Sequence, residues 1–165
     1  STIKKIRIHL KYNKDKTMII GLFCCLLLSF VSYTSAADIA GVWRTIDDKT
    51  GYVRAHIKIT KSNNGTYTGT IIQDFPAPGE TPLLQCNNCP APYTNKPIIG
   101  LDILKNLKAD PEHPNVFIGG SVLDPRVGKI YHGKAKLNAS GNKMTLRGYI
   151  GISIVGRSQT WIRQE

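Results

Sequence analysis

The chain has 165 residues, of which 41% are hydrophobic and 20% are charged, and its formal net charge is +11 at pH 7. A chain of this length fits one compact domain with a single core rather than several domains. From Asp38 onward its basic residues are scattered and are not interleaved with aromatic residues along one stripe. That part of the chain therefore favours a solvated basic surface and disfavours a nucleic-acid-binding face.

The first predicted element is an export signal. Residues 18–31 form an apolar run that follows lysine-rich sequence and precedes the small residues Ser35, Ala36 and Ala37. These three features are typical of a signal peptide. A membrane-spanning helix needs about 20 apolar residues, so this run is too short for a lasting anchor. We therefore expect residues 1–37 to be a signal peptide with a basic N-terminal extension, and residues 38–165 to be one domain.

Cleavage would divide the net charge of the chain almost equally. The leader holds six basic residues and one acidic residue, which leaves a charge of +6 on the mature domain. That charge could attract anionic partners such as lipid headgroups or envelope glycans. We expect an exported protein, in the periplasm or the medium, that touches a membrane only through its leader. The sequence does not indicate an oligomeric state.

The four cysteines form two pairs with different expected fates. Cys24 and Cys25 lie in the apolar run and would leave with the leader. The large Phe23 directly before Cys24 disfavours lipidation, which requires a small residue at that place. Cys86 and Cys89 remain in the mature domain, and exported proteins meet an oxidising compartment. We expect these two cysteines to form a disulfide.

From residue 39 onward the apolar residues alternate with polar ones, and turn residues separate the runs. This period of two predicts antiparallel strands rather than helices. Eight candidate strands follow: 41–47, 52–61, 66–73, 98–107, 116–123, 129–137, 143–152 and 157–163. Eight sequential strands with short connections favour an all-β, up-and-down antiparallel barrel, which leaves no exposed sheet edge. An open β-sandwich is the alternative, and the fourth segment could also form a short amphipathic helix.

Residues 74–97 interrupt the regular strand spacing. They contain six of the nine prolines, each of which lacks a backbone donor and has a fixed φ. We expect an extended loop that crosses one end of the barrel, with Cys86 and Cys89 near its middle.

Several motifs of the mature domain resemble a family of small exported bacterial proteins known only as a domain of unknown function. The matching groups are Gly41-Val42-Trp43-Arg44-Thr45, the Cys86-x-x-Cys89 pair, Asp124-Pro125-Arg126-Val127-Gly128-Lys129-Ile130-Tyr131, Arg147-Gly148-Tyr149-Ile150-Gly151 and Gly156-Arg157-Ser158-Gln159-Thr160-Trp161-Ile162-Arg163. The resemblance implies a bacterial, periplasmic or secreted, single-domain protein. It implies no reaction, because that family has none assigned.

A second resemblance is to lipocalin-like, or calycin, barrels. In those barrels a Gly-x-Trp on the first strand packs beneath an arginine from the last strand. Gly41-x-Trp43 and Arg163 occur in the matching order at the two ends of the domain. The resemblance implies that the Arg163 guanidinium packs over the indole face of Trp43. An equally good interpretation is that Trp43 simply fills the core of a small β protein.

The sequence contains few groups for catalysis. Cys86 and Cys89 have the spacing of a thiol–disulfide exchange site, but the surrounding residues predict a loop, not the helix N-terminus that activates such cysteines. Zinc would need two further ligands, and the mature histidines His56, His113 and His132 give no reason to converge. Nucleophile, zinc-protease and phosphate-loop motifs are absent from the sequence. We predict no catalytic residue, metal or cofactor.

The last strand suggests a binding site. If Trp161 points inward, Arg157, Gln159 and Arg163 share its side of the strand. Unpaired charges cannot lie in a dry core, so these residues would line a polar cavity for an anionic ligand. Otherwise Ser158, Thr160 and Ile162 face inward, or the strand twists so that Arg163 caps the barrel while Arg157 reaches solvent. The candidate ligand-binding residues are Trp43, Arg157, Gln159, Trp161 and Arg163.

Three functions remain open from the sequence. The first is non-enzymatic binding of a small amphipathic or anionic ligand, or of an envelope component, inside the barrel or under the proline-rich loop. The second is thiol–disulfide exchange by Cys86 and Cys89. The third is a structural or interaction module of the cell envelope.

Overall fold

The structure is a computed structural model that describes residues 37–152 and 154–164, so the predicted leader lies outside the described residues except for Ala37. Eight β-strands follow one another along the chain. They are β1 (Gly41–Ile46), β2 (Val53–Lys61), β3 (Tyr67–Asp74), β4 (Asp102–Ala109), β5 (Val116–Asp124), β6 (Lys129–Leu137), β7 (Lys143–Tyr149) and β8 (Gly156–Gln164).

The strands form a closed antiparallel barrel. Each strand pairs with the next along the chain, and β8 pairs with β1, where Val42 lies opposite Gln164. The predicted up-and-down barrel is therefore confirmed, and the open sandwich is wrong. The described residues contain no helix. Among them, no helical segment has the length and apolar character that crossing a bilayer would require.

The alternation in the sequence corresponds to the inside and outside of the barrel. On β2, Ala55, Ile57 and Ile59 are buried, whereas Lys58 and Thr60 between and beyond them are exposed. Successive side chains of a strand point to opposite faces, so a period of two places one set in the core.

The fourth strand differs from the prediction. Residues 98–101 form a turn instead of the start of a strand, because Gly100 has a φ of 88° and the Leu101 amide donates to the Ile98 carbonyl. The helical alternative for this segment is also wrong. Leu104 and Leu107 are both fully buried although they are three residues apart, and Asn106 between them has a φ of 59°. This irregularity turns both leucines inward from one strand.

The barrel has two different ends. We call the end that holds the start of β1, the β2–β3, β4–β5 and β6–β7 connections and the end of β8 the terminal end. The opposite end, with the β1–β2, β3–β4, β5–β6 and β7–β8 connections, is the long-loop end. Large buried side chains fill the interior, and they include Trp43, Ile57, Ile59, Tyr67, Leu104, Leu107, Phe117, Met144 and Trp161.

The β3–β4 connection, residues 75–101, is the proline-rich loop of the sequence. It packs against the barrel rather than projecting from it, because Cys86, Cys89, Ile98 and Leu101 are buried with the core. The ammonium group of Lys105, on the outer face of β4, lies 5.1 Å from the centre of the Tyr93 ring in this loop. The loop is therefore part of the folded domain.

Candidate functional site

The terminal end of the barrel is sealed by Trp43 and Arg163. Trp43 is fully buried, and its indole nitrogen donates to the Ile39 carbonyl at 2.9 Å. The Arg163 guanidinium lies 4.3 Å from the centre of the Trp43 ring. The same guanidinium donates to three backbone carbonyls, those of Gly141 at 2.8 Å, Ala40 at 2.7 Å and Asp38 at 2.9 Å. All of these contacts are structural, and together they close this end.

The other residues of the last strand divide between the core and the surface. Trp161 is buried and donates from its indole nitrogen to the side-chain oxygen of Gln159 at 2.9 Å. Arg157 has a side chain that is 73% exposed, and its Nε lies 3.7 Å from a carboxylate oxygen of Asp48. Of the arrangements that the sequence left open, the strand adopts the one in which Arg163 caps the barrel and Arg157 reaches solvent.

The five candidate binding residues therefore do not surround one cavity. Trp43 and Arg163 lie at the terminal end, whereas Arg157 lies at the long-loop end. Trp161 and Gln159 bond to each other on the strand between them. Their binding role stays a prediction that no contact in the structure tests.

The middle of the barrel is a packed core. A Cβ added to Gly133 would lie 2.7 Å from Cγ2 of Val122, and one added to Gly120 would lie 2.7 Å from Cδ1 of Leu107. Real Cβ atoms do not approach other carbons this closely, so both glycines are needed to make room for their neighbours. Side chains, rather than an open channel, occupy this part of the interior.

Two motifs that are separate in the sequence meet at the long-loop end. Cys86 and Cys89 form a disulfide and are both buried. Gly128, in the β5–β6 turn, has a φ of 71°, and a Cβ at this position would overlap the Asn88 carbonyl. The turn thus lies directly on the residues between the two cysteines. The predicted disulfide is confirmed, and its packing against this turn explains the need for glycine at 128.

Charged side chains connect the long loop to two other parts of the barrel. The carboxylate of Glu80 in the loop accepts a hydrogen bond from Arg54 on β2. The same carboxylate lies 3.4 Å from Arg126 of the β5–β6 turn, which also lies 3.5 Å from Asp74 at the end of β3. The hydrogen bond from Arg54 is the main cause that lowers the pKa of Glu80, followed by the Ala77 amide. This network holds the first part of the loop across the long-loop end.

A shallow groove of about 590 Å³, largely open to solvent, lies along one stretch of the same loop. Its lining is neutral and combines apolar side chains with hydroxyl and amide groups. The lining residues are Thr81, Pro82, Leu83, Leu84, Gln85 and Asn87. Leu84 is 78% exposed, so an apolar side chain is available there to a bound molecule.

The histidines and acidic residues of the barrel pair with neighbours at separate places. Within residues 37–152 and 154–164, no group of three or more His, Cys, Asp or Glu side chains converges to hold a metal ion. His56 packs against Phe75, His132 packs against Tyr149, and His113 pairs with Asp110 at the terminal end. The histidines thus lie apart from one another and from the disulfide.

Sequence reasoning named the proline-rich loop as one possible ligand site, but it missed Arg54, Glu80 and the residues that line the groove. Arg126 was visible only as part of the Asp-Pro-x-x-Gly-Lys motif, and its two acidic partners come from distant segments. Glu80 carries no local signal, since it is a single acid in a proline-rich loop. Only the path of that loop brings these groups together.

The fold is that of a lipocalin-like barrel. Protein HP1028 from Helicobacter pylori, which is described as belonging to the lipocalin family, superposes with a TM-score of 0.64 over 79% of this chain and 85% of that protein. Its sequence is 19% identical, so this likeness shows the fold alone. Residues 41–163 match the family described as "Uncharacterized protein conserved in bacteria (DUF2147)", and the chain belongs to that family. No curated protein matches the sequence.

Proposed function

We propose that this chain is a non-enzymatic, exported binding protein that holds a small amphipathic ligand in the groove of its long loop. The observation that carries the proposal is the groove itself, with its volume of about 590 Å³. Binding sites for small molecules commonly have volumes of roughly 300–1,000 Å³, with mostly apolar walls and a few polar groups.

The chemistry of the lining supports an amphipathic ligand over a strongly anionic one. Leu83, Leu84 and Pro82 would contact an apolar chain, while Thr81, Gln85 and Asn87 could hydrogen bond to a polar head. The six lining residues carry no charge. We place the ligand here rather than around Trp43 and Arg163, because the polar groups of those residues already have partners within the barrel.

The groove is held in a defined shape before any ligand binds. The disulfide Cys86–Cys89 restrains the end of the lining segment, because Cys86 lies between Gln85 and Asn87, and the hydrogen bond from Arg54 holds Glu80 just before that segment. A preformed site loses less conformational entropy on binding, which favours affinity. The disulfide also supports our proposal that the protein is exported, since such bonds persist in oxidising compartments.

Thiol–disulfide exchange is less well supported. Attack on a disulfide requires access of an external thiolate to one sulfur. Both cysteines are buried where their segment of the long loop packs against the barrel and the β5–β6 turn.

Titration with a fluorescent fatty acid that carries a dansyl group tests the binding proposal. Leu84→Ser should weaken binding about tenfold or more, because it removes most of the apolar contact of one leucine. Ile99→Ser is the matched control, since Ile99 is also exposed in the long loop but does not line the groove. Equal affinity of the two variants, or no binding by the unchanged protein, would contradict the proposal.

A further inference from the structure

The β7–β8 connection exposes a concentrated group of apolar side chains. Ile150, Ile152, Ile154 and Val155 are 61%, 66%, 82% and 63% exposed, respectively. We call these four residues the aliphatic tip. Scattered single apolar residues on a surface need no explanation, but four within six positions of one hairpin indicate a surface for interaction.

The aliphatic tip is held in place by specific contacts. Arg147 on β7 donates to the Ile154 carbonyl at 2.8 Å and to the Ser158 hydroxyl at 3.0 Å. The Ile150 amide donates to the Val155 carbonyl, which closes the hairpin. A Cβ at Gly156 would lie only 2.7 Å from the Cβ of Tyr149, so the two strands approach closely at the base of the tip. The exposure of the tip is therefore a property of a folded hairpin.

All the charged side chains on the two strands that carry the tip, and on the neighbouring β6, are basic. Residues 125–164 contain eight lysine and arginine residues and no acidic residue. Lys134 on β6 lies directly opposite Arg147 on β7, although like charges in facing positions destabilise a sheet. Arg157 at the base of the hairpin lies 3.7 Å from Asp48 of the β1–β2 turn, which balances part of its charge. The excess positive charge beside the tip therefore comes mainly from Lys134 and Arg147, and it complements an anionic partner.

We propose that this hairpin docks the protein onto an anionic lipid surface. The aliphatic tip would enter the boundary between headgroups and acyl chains, while Lys134, Arg147 and Arg157 at its base would lie beside the phosphates. Apolar burial and attraction to anionic lipids together give such peripheral binding. A pocket on a partner protein fits the tip less well than a lipid surface does. Residues 150–155 contain none of the aromatic or arginine residues that contribute most of the binding energy in protein interfaces.

This proposal is independent of the ligand groove, since it rests on different residues. It also adds a membrane contact to the one that the sequence predicts through the leader. The two proposals can therefore fail separately: loss of vesicle binding says nothing about the fatty-acid titration, and the reverse is also true.

Co-sedimentation with vesicles tests the docking surface. The full chain is expressed, and the protein is purified in whatever processed form the cells produce. It is then mixed with vesicles of phosphatidylcholine alone or of equal parts phosphatidylcholine and phosphatidylglycerol. We expect binding to the anionic vesicles, and a loss of about tenfold or more in the double variant Ile152→Ser with Ile154→Ser. Ile118→Ser, at an exposed isoleucine near the terminal end, is the matched control and should bind normally.

A charge variant separates the electrostatic part of the binding. Lys134→Gln with Arg157→Gln should weaken binding to anionic vesicles about tenfold or more, because each basic residue near the surface contributes to the attraction. Lys58→Gln with Lys108→Gln removes the same charge from exposed positions elsewhere and should have a smaller effect. Binding that falls equally in both charge variants would overturn the proposal, since net charge alone would then explain it.

Depth measurement gives a second readout that does not depend on affinity. Both native tryptophans are buried, so brominated acyl chains should quench an added tryptophan in Ile154→Trp but not in Ile118→Trp. No quenching at position 154, or equal vesicle binding by the unchanged protein and the double isoleucine variant, would overturn the proposal. A tip that binds a protein but no vesicle would also overturn it.

Discussion

At the scale of single residues, the strongest sequence signals mark structural positions. Trp43 and Arg163 are the residues of the Gly-x-Trp and last-strand motifs, and they seal the terminal end with one ring contact and several hydrogen bonds. Gly128, in a third motif, allows the β5–β6 turn to lie on the Cys86–Cys89 turn. The contacts of these motifs therefore show how the barrel is closed.

Arg163→Ala should lower the free energy of unfolding by about 2–4 kcal/mol. The substitution removes a cation over the Trp43 ring and leaves three backbone carbonyls without their donor. Urea unfolding monitored by circular dichroism measures the change. Arg157→Ala removes the same type of side chain from a largely exposed position on the same strand, and should change stability by about 0.5 kcal/mol or less. Equal effects of the two variants would contradict the role given to Arg163.

Gly128→Ala should destabilise the protein more than Gly141→Ala. Both glycines have positive φ values, 71° and 74°, so each substitution carries the backbone strain of a left-handed residue, about 1 kcal/mol. Only at Gly128 would the new methyl group also overlap a neighbour, the Asn88 carbonyl, whereas the space around Gly141 is open. Thermal unfolding of both variants measures the difference. A smaller effect at position 128 than at position 141 would contradict the contact.

At the scale of elements, the long β3–β4 loop and the β7–β8 hairpin distinguish this barrel. The loop is fixed by a disulfide, by buried apolar residues and by the ion pairs of Glu80, and it contains the groove. The hairpin instead exposes its apolar residues to solvent. Two connections at the same end of one barrel thus have opposite relations to the core, and each carries one of the proposed activities.

The attachment of the loop should depend on pH through Glu80. The hydrogen bond from Arg54 lowers the pKa of Glu80 below 4.5 in the folded protein. The stabilisation that ionised Glu80 gives to the loop is therefore complete above about pH 4.5, and it is lost as the pH falls through the lower pKa of the folded state. We expect the hydrogen-exchange protection factor of the Ala77 amide, which donates to Glu80, to fall over that range. In Glu80→Ala, which removes the acceptor, the protection should be low throughout and should not change with pH. The same pH profile in both proteins would contradict this attachment.

At the scale of the whole molecule, closure of the barrel makes the two chain ends of the domain neighbours. Val42 pairs with Gln164 at the β1–β8 junction, and Arg163 donates to the carbonyl of Asp38. Closure leaves no free sheet edge, which protects the barrel from pairing with other chains. The terminal seal joins Trp43 on the first strand to Arg163 on the last strand. The contact between them therefore forms only when the barrel closes.

A circular permutant tests this closure. A short glycine-serine linker should join Gln164 to Ala37, and new termini between Asn63 and Asn64 would open the exposed β2–β3 turn. We expect this permutant to fold with a thermal midpoint within about 10 °C of the unpermuted domain, because exposed turns tolerate new termini. New termini between Ala135 and Lys136, inside β6, should prevent cooperative folding. Cooperative unfolding of the second permutant alone would contradict the observed strand order.

The sequence by itself determined the strands, their antiparallel order and the disulfide. The alternation of apolar and polar residues, the turn residues and the close spacing of Cys86 and Cys89 are local signals, and these features depend on local chemistry. The β4 bulge at Asn106 was missed, because two leucines three apart are also typical of a helix.

Only the tertiary structure decided the inward or outward position of the last-strand arginines, the network around Glu80 and the location of the groove. A two-residue alternation in the sequence shows which residues share a face of a strand. It does not show which face is buried once the strand twists into a barrel. The path of a long loop depends on contacts between segments far apart in the chain, such as Asn88 with Gly128 and Glu80 with Arg126. No local sequence pattern encodes such contacts, because they form and stabilise the protein only after the barrel has closed.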